Sequence, residues 1–216
     1  KTGLAYLMKL VDQAAVLGAK SVVGPVYSAV GRADAVPAPE YKKQWATVVK
    51  HLKTLCKHAE KAGVQICLEP LNRFETDFIN TCEQALKMVK AVKSPALKLH
   101  LDTFHMNIEE KCQGDAIRKA GKLLGHFHAC GSDRGTPGND HINWDCIAKA
   151  LKEIGYDGDV VIESFTTDVK VIAKAAAIWR KMEPTRNEIA VKGLKHLQET
   201  LGKSASGECC CCCCEN

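Results

Sequence analysis

Short apolar runs alternate along this chain with longer segments whose apolar residues recur at three- and four-residue spacing. Leu4, Leu7, Val11, Ala14 and Ala15 mark one helix face, and Gly18 stands where a C-terminal cap belongs. The Val-rich stretch 20–28, with an internal Gly-Pro, predicts a buried strand running into a loop through Pro39. Pro39 opens a helix on which Trp45, Val48, Val49, Leu52, Cys56 and Ala59 keep one face until Gly63. A strand over 64–68 follows. Thr81 and Gln84 then form a capping box for a helix carrying Ala85, Leu86, Met88, Val89 and Val92.

The same alternation continues to the end of the body. Strands are predicted over 97–101, 123–127 and 160–162, separated by a short helix near 115–119 and a longer one over 144–154 that Gly155 ends. One helix is expected over 168–181, and Thr185 with Glu188 caps a last one carrying Ile189, Val191, Leu194, Leu197 and Leu201 until Gly202. Strict βα alternation implies an α/β protein with a parallel sheet and right-handed crossovers, either doubly wound or closed as a (β/α)8 TIM barrel.

The strand ends choose between these. Four runs finish in a side chain able to bind a metal: Glu69, Asp102, His128 and Glu163. Barrels carry their chemistry at the C-terminal ends of several strands, whereas doubly wound sheets favour a Gly-rich first turn, and no GxGxxG or P-loop occurs here. The expectation is a TIM-barrel type. Only about five βα units are visible where eight are needed, so an N-terminally truncated portion is expected, lacking three units of about 30 residues each. The first residue, Lys1, is not Met. The partial barrel spans 1–202. Residues 203–216 combine small and polar residues, Ser and Gly among them, with six consecutive Cys, a composition expected for a disordered tail.

Composition excludes several classes. With 216 residues, 46% apolar and 25% charged, the chain can build one sizeable core and the body is not of a disordered type. The net charge of +5 is spread over helical surfaces interleaved with acids, so no nucleic-acid partner is expected. No apolar stretch approaches the ~20 residues of a membrane span, and no signal peptide pattern opens the chain, so the expected location is cytoplasmic. Cys56, Cys67, Cys82, Cys112, Cys130 and Cys146 make no CxxC and read as reduced structural thiols.

Three carboxylates and one imidazole form an oxygen-rich set that suits Mn²⁺, Mg²⁺ or Co²⁺ better than a structural zinc. Such an ion can hold two adjacent oxygens of a hydroxyketone and stabilise the enediolate left when a neighbouring proton departs, the chemistry of sugar isomerisation or epimerisation. Taken singly, an acid ending a strand often just caps the next helix. His100 and His126 share strand parity with Asp102 and His128 and read as core or supporting residues.

Four segments together carry a resemblance. Leu68-Glu69-Pro70-Leu71-Asn72-Arg73-Phe74-Glu75, the run from Leu101-Asp102-Thr103-Phe104-His105 to Glu110, Gly125-His126-Phe127-His128 with Asp133-Arg134-Gly135, and Val161-Ile162-Glu163-Ser164-Phe165 resemble the ketohexose 3-epimerases of D-tagatose and D-psicose (allulose). The resemblance covers about residues 1–202. It implies a metal-dependent barrel, usually with Mn²⁺, that epimerises a ketohexose at C3 and works as a homodimer or homotetramer when full length. By position it places the metal on Glu69, Asp102, His128 and Glu163, the catalytic proton transfers on Glu69 and Glu163, and substrate binding on Glu75, His105 and Arg134. Blander roles for those three are a surface ion pair of Glu75 with Arg73, a helix-start His105 and a solvated loop Arg134.

Two departures bear on substrate preference: Tyr27-Ser28-Ala29-Val30 replaces a Ser-Tyr-Trp segment of some members, and Gly131 stands where a Glu often follows the metal His. Rival readings are an inactive metal-binding barrel remnant, or a related reaction: hydroxypyruvate isomerase, inosose dehydratase or a nuclease acting on abasic DNA. The nuclease needs a multi-metal cluster with additional His ligands, so it fits the four-residue set least.

Overall fold

A computed structural model describes residues 2–29 and 31–202. The Cys-rich tail expected over 203–216 lies outside the described residues. Five strands alternate with helices in the predicted order: α1 (Thr2–Val16), β1 (Ser21–Gly24), α2 (Ala38–Ala62), β2 (Gln65–Leu68), α3 (Cys82–Val92), β3 (Leu97–Asp102), α4 (Thr103–Glu109), α5 (Gln113–Ala120), a 3₁₀ turn (Gly121–Leu123), β4 (Leu124–Ala129), α6 (Trp144–Glu153), β5 (Val160–Ile162), α7 (Lys170–Ala175) and α8 (Arg186–Leu201). These are five βα units of the TIM-barrel type, as the alternation implies.

The chain divides into two compact units, Lys1–Leu101 with Lys119–His126, and Asp102–Arg118 with the residues from Phe127 onward. In the first unit β1 pairs in parallel with β2 and β2 with β3, with Val22 opposite Ile66 and Leu68 opposite Leu99, and the start of β4 follows next in the strand order. β2 buries Ile66, Cys67 and Leu68 in succession, the continuous apolar run of a strand covered on both faces. Leu52, Leu55, Cys56 and Ala59 of α2 and Ala85 and Met88 of α3 close over this sheet, fully buried. Each large aliphatic side chain so placed contributes about 1.5–3 kcal/mol.

In the second unit the end of β4 pairs in parallel with β5, with His128 opposite Val161. Its core gathers Phe127, Ile117, Cys146, Ile147 and Ala150, with Ile189 and Leu197 from α8. The capping reading holds: Thr81 accepts from the Gln84 N–H at 3.2 Å while the Gln84 side chain accepts from the Thr81 N–H at 3.1 Å, and Thr185 accepts from the Glu188 N–H. The six scattered cysteines are free thiols, five of them buried. Burial pushes the Cys56 and Cys67 thiols up to about 11, which makes them inert.

Three boundaries differ from expectation. The helix expected over 168–181 is confined to α7, Lys170–Ala175. The chain leaves it through Ala177 at φ 56, the Ile178 N–H bonds back to the Ala173 carbonyl at 2.7 Å, and Ile178 is buried. This is a Schellman-type stop driven by burial of the following apolar residue, with no glycine to announce it. The first strand, expected over 20–28, ends at Gly24, whose φ of 130 turns the backbone just before Pro25 removes a donor. Residues 103–109, left without an element by periodicity, form α4 because the Asp102 side chain caps it.

Candidate active site

In the first unit, Glu69 follows the last residue of β2 and is buried, with its N–H bonded to the Gly24 carbonyl at 3.2 Å. His100, on β3 and completely buried, brings Nδ1 to 3.5 Å from Glu69 Oε2, and its ring meets His126 edge-on with centroids 5.0 Å apart. His100 thus faces both Glu69 and His126.

The loop after Glu69 is stapled to itself. Asn72 accepts from the Phe74 N–H and donates to Glu75 Oε1, both at 2.9 Å, and Asn80 donates to the Leu71 and Thr76 carbonyls. Glu75 is thus oriented by Asn72 on a built loop. Tyr27 donates to the Ile79 carbonyl at 3.0 Å and stacks on Phe78, fixing the loop from the β1 side. Burial first, then the Glu69 charge, raises the Tyr27 hydroxyl far above its ordinary range, so it stays a neutral donor.

In the second unit the strand ends converge. Asp102 closes β3, accepts from the Phe104 N–H through Oδ1 at 2.6 Å and turns Oδ2 to His128 Nδ1 at 3.4 Å. The same His128 nitrogen lies 3.6 Å from Oε1 of Glu163, the residue after β5, and Glu163 Oε2 accepts from Arg134 Nη1 at 3.2 Å. His105 on α4 is buried and meets Phe104 edge-on.

Burial pulls the Asp102 carboxyl up, but His128, His105 and Arg134 together outweigh it and hold the group below the usual carboxylate range. Glu163 goes the other way: burial and then the Asp102 charge raise it against the pull of His128 and Arg134. The two carboxylates are thus shifted in opposite directions.

Arg134 is not a solvated loop side chain. It is 4% exposed, with its guanidinium carbon 4.1 Å from the Phe104 ring centroid and 5.1 Å from that of Phe165. Its backbone is left-handed at φ 63, which costs a non-glycine residue about 1–2 kcal/mol. Gly131 has a steric reason: a Cβ there would lie 3.1 Å from the Gly135 backbone and 3.2 Å from the Thr136 oxygen, because the Arg134 loop folds back over it.

The donor chemistry fits a divalent ion. Asp102, His128 and Glu163 present two carboxylates and an imidazole whose atoms approach at 3.4 and 3.6 Å, longer than good hydrogen bonds and close to the ~3 Å separation of ligands sharing one ion with bonds of about 2.1 Å. The pattern reading missed Thr103, whose buried hydroxyl donates to the Cys130 carbonyl at 2.6 Å and accepts its N–H at 2.7 Å. It also assigned no role to Phe104. Neither has a periodic signal; their only cue is adjacency to Asp102.

Residues 1–200 match the xylose isomerase-like TIM barrel family, and the chain belongs to it. Among curated proteins it is 36% identical over 200 residues to a probable ketose 3-epimerase of a Synechocystis species, covering 93% of this chain and 69% of that one. It is 37% identical over 188 residues to a D-psicose 3-epimerase of Ruminiclostridium cellulolyticum, covering 87% and 64%. A D-psicose 3-epimerase solved in the presence of D-fructose superposes with a TM-score of 0.87 at 33% identity, covering 93% of this chain and 71% of that one. The chain thus spans about two thirds of the length of the relatives it matches, and those relatives are isomerases.

Proposed function

We propose that this protein epimerises a ketohexose of the D-psicose, D-fructose or D-tagatose class at C3 with the help of a divalent metal ion. The observation that carries the reading is the Asp102, His128 and Glu163 convergence with Arg134 on the far side of Glu163. Glu69, Asp102, His128 and Glu163 would hold the ion, Mn²⁺ before Co²⁺ or Mg²⁺. Bound there, the ion would polarise the ketose oxygens and acidify the C3–H bond.

Glu163 removes the C3 proton. Arg134 fixes its second oxygen so that one oxygen is aimed. Glu69 returns a proton to the opposite face of C3, its carboxylate oriented by His100. Glu75, His105 and Arg134 bind the C1 to C2 end of the sugar, with Asn72 setting the first and α4 the second.

No helix among the described residues is long and apolar enough to cross a membrane. A homodimer or homotetramer and a cytoplasmic location complete the proposal, resting on the family resemblance.

The test is exchange of the C3 proton in D₂O with D-fructose or D-psicose and added Mn²⁺. Parent protein incorporates deuterium at C3 and interconverts the two ketoses, and Glu163→Gln abolishes both. Tight Mn²⁺ binding without any exchange would overturn the epimerase reading in favour of a metal-binding barrel without turnover.

A further inference from the structure

Arg134 combines three features rarely found together. It is nearly buried, its backbone sits at φ 63, and it donates to Glu163 through Nη1 at 3.2 Å. A guanidinium in that setting is stabilised by aromatic rings as well as by an anionic acceptor. Two rings lie within cation–π range of it, Phe104 at 4.1 Å and Phe165 at 5.1 Å from the guanidinium carbon. The same guanidinium donates in its plane through Nη1 to Glu163 Oε2.

Phe104 is itself placed by the site. Its N–H bonds to Asp102 Oδ1 at 2.6 Å, so the carboxylate that caps α4 also fixes the residue whose ring clamps Arg134. The connection runs from Asp102 through the Phe104 backbone to its ring, on to the Arg134 guanidinium and from there to Glu163. We propose that Phe104 is a positioning residue that sets the aim of Glu163 through Arg134, an inference that rests on the epimerase reading for its kinetic consequence but not for the clamp itself.

Two readouts separate the parts. In the parent protein, NMR of the Arg134 side chain, assigned by its disappearance in Arg134→Met, shows Hδ and Nε–H resonances shifted upfield by the Phe104 ring; the shift collapses in Phe104→Leu and persists in Phe104→Tyr. In C3-exchange kinetics Phe104→Leu lowers kcat by about 5- to 30-fold, the range for losing one desolvated cation–π contact, whereas Phe104→Tyr stays within about twofold of the parent. In the Arg134→Met background Phe104→Leu has less than about a twofold further effect on exchange, because the cation it positions is gone.

Unshifted Arg134 resonances in the parent would overturn the clamp, whether or not Phe104→Leu folds. An equal fold-loss from Phe104→Leu in both backgrounds would overturn the positioning role and leave a packing effect. If the parent exchanges no C3 proton, the epimerase reading fails while the NMR measurement still decides the clamp.

Discussion

Replacing Thr103 by Val removes one hydroxyl and almost nothing else. The side chains match in shape, both Thr103 and Cys130 are completely buried, and the hydroxyl makes two short bonds, 2.6 Å to the Cys130 carbonyl and 2.7 Å from its N–H. Thr103→Val leaves a buried backbone donor and a buried acceptor unsatisfied, each costing about 1–3 kcal/mol. The expected destabilisation is about 2–5 kcal/mol, a large share of the roughly 5–15 kcal/mol that holds a domain together. Thr103→Ser keeps both bonds, loses a methyl and costs only about 1 kcal/mol.

Urea unfolding followed by circular dichroism at constant m-value measures both variants. The same bonds tie the residue after Asp102 to the residue two beyond His128, so the change also loosens the spacing of two candidate metal ligands. Mn²⁺ affinity of Thr103→Val falls by about 10- to 100-fold, the scale seen when a support of a metal ligand is removed. A stability loss below 1 kcal/mol, or Thr103→Ser as costly as Thr103→Val, refutes the hydrogen-bond argument.

Two further outcomes follow from local contacts. Thr81→Ala removes the acceptor for the Gln84 N–H and half of the reciprocal cap of α3, lowering stability by about 0.5–2 kcal/mol in the same unfolding assay, with Thr81→Ser restoring most of it. Glu183 ties the 136–139 loop to the segment before α8, accepting from Thr136 at 2.9 Å and Asn139 at 3.0 Å, and the Thr136 bond leads the causes that hold its carboxyl below the usual range. A depressed folded value means the contribution is complete above the unfolded glutamate value of about 4.3 and lost as pH falls through the folded one. The thermal midpoint of Glu183→Gln therefore lies below the parent at pH 7 and converges with it on acidification; a constant gap would contradict the assignment.

The element order was legible where a strand is a short apolar run and a helix keeps one apolar face. Ile66, Cys67 and Leu68 make this plain, as do the reciprocal groups of the Thr81 cap. What ended α7 was not legible: Ala177 adopts a left-handed conformation only because Ile178 is drawn into the core, a tertiary cause absent from local propensity. The missed α4 has a different origin, since the carboxylate read as a metal ligand also serves as the cap.

The same double use explains why the site was half legible. Asp102, His128 and Glu163 stand out in one dimension because each lies at or beside the C-terminal end of a strand, and parallel strands bring those ends together. Arg134 ends nothing. Its blander reading as a solvated loop residue is what an arginine between Asp133 and Gly135 ordinarily means, whereas here its loop returns over Gly131 and its guanidinium lies near the rings of Phe104 and Phe165. Periodicity reports which residues face a core. It does not report that a loop must fold back on a glycine to carry a cation to a carboxylate 29 residues away in sequence.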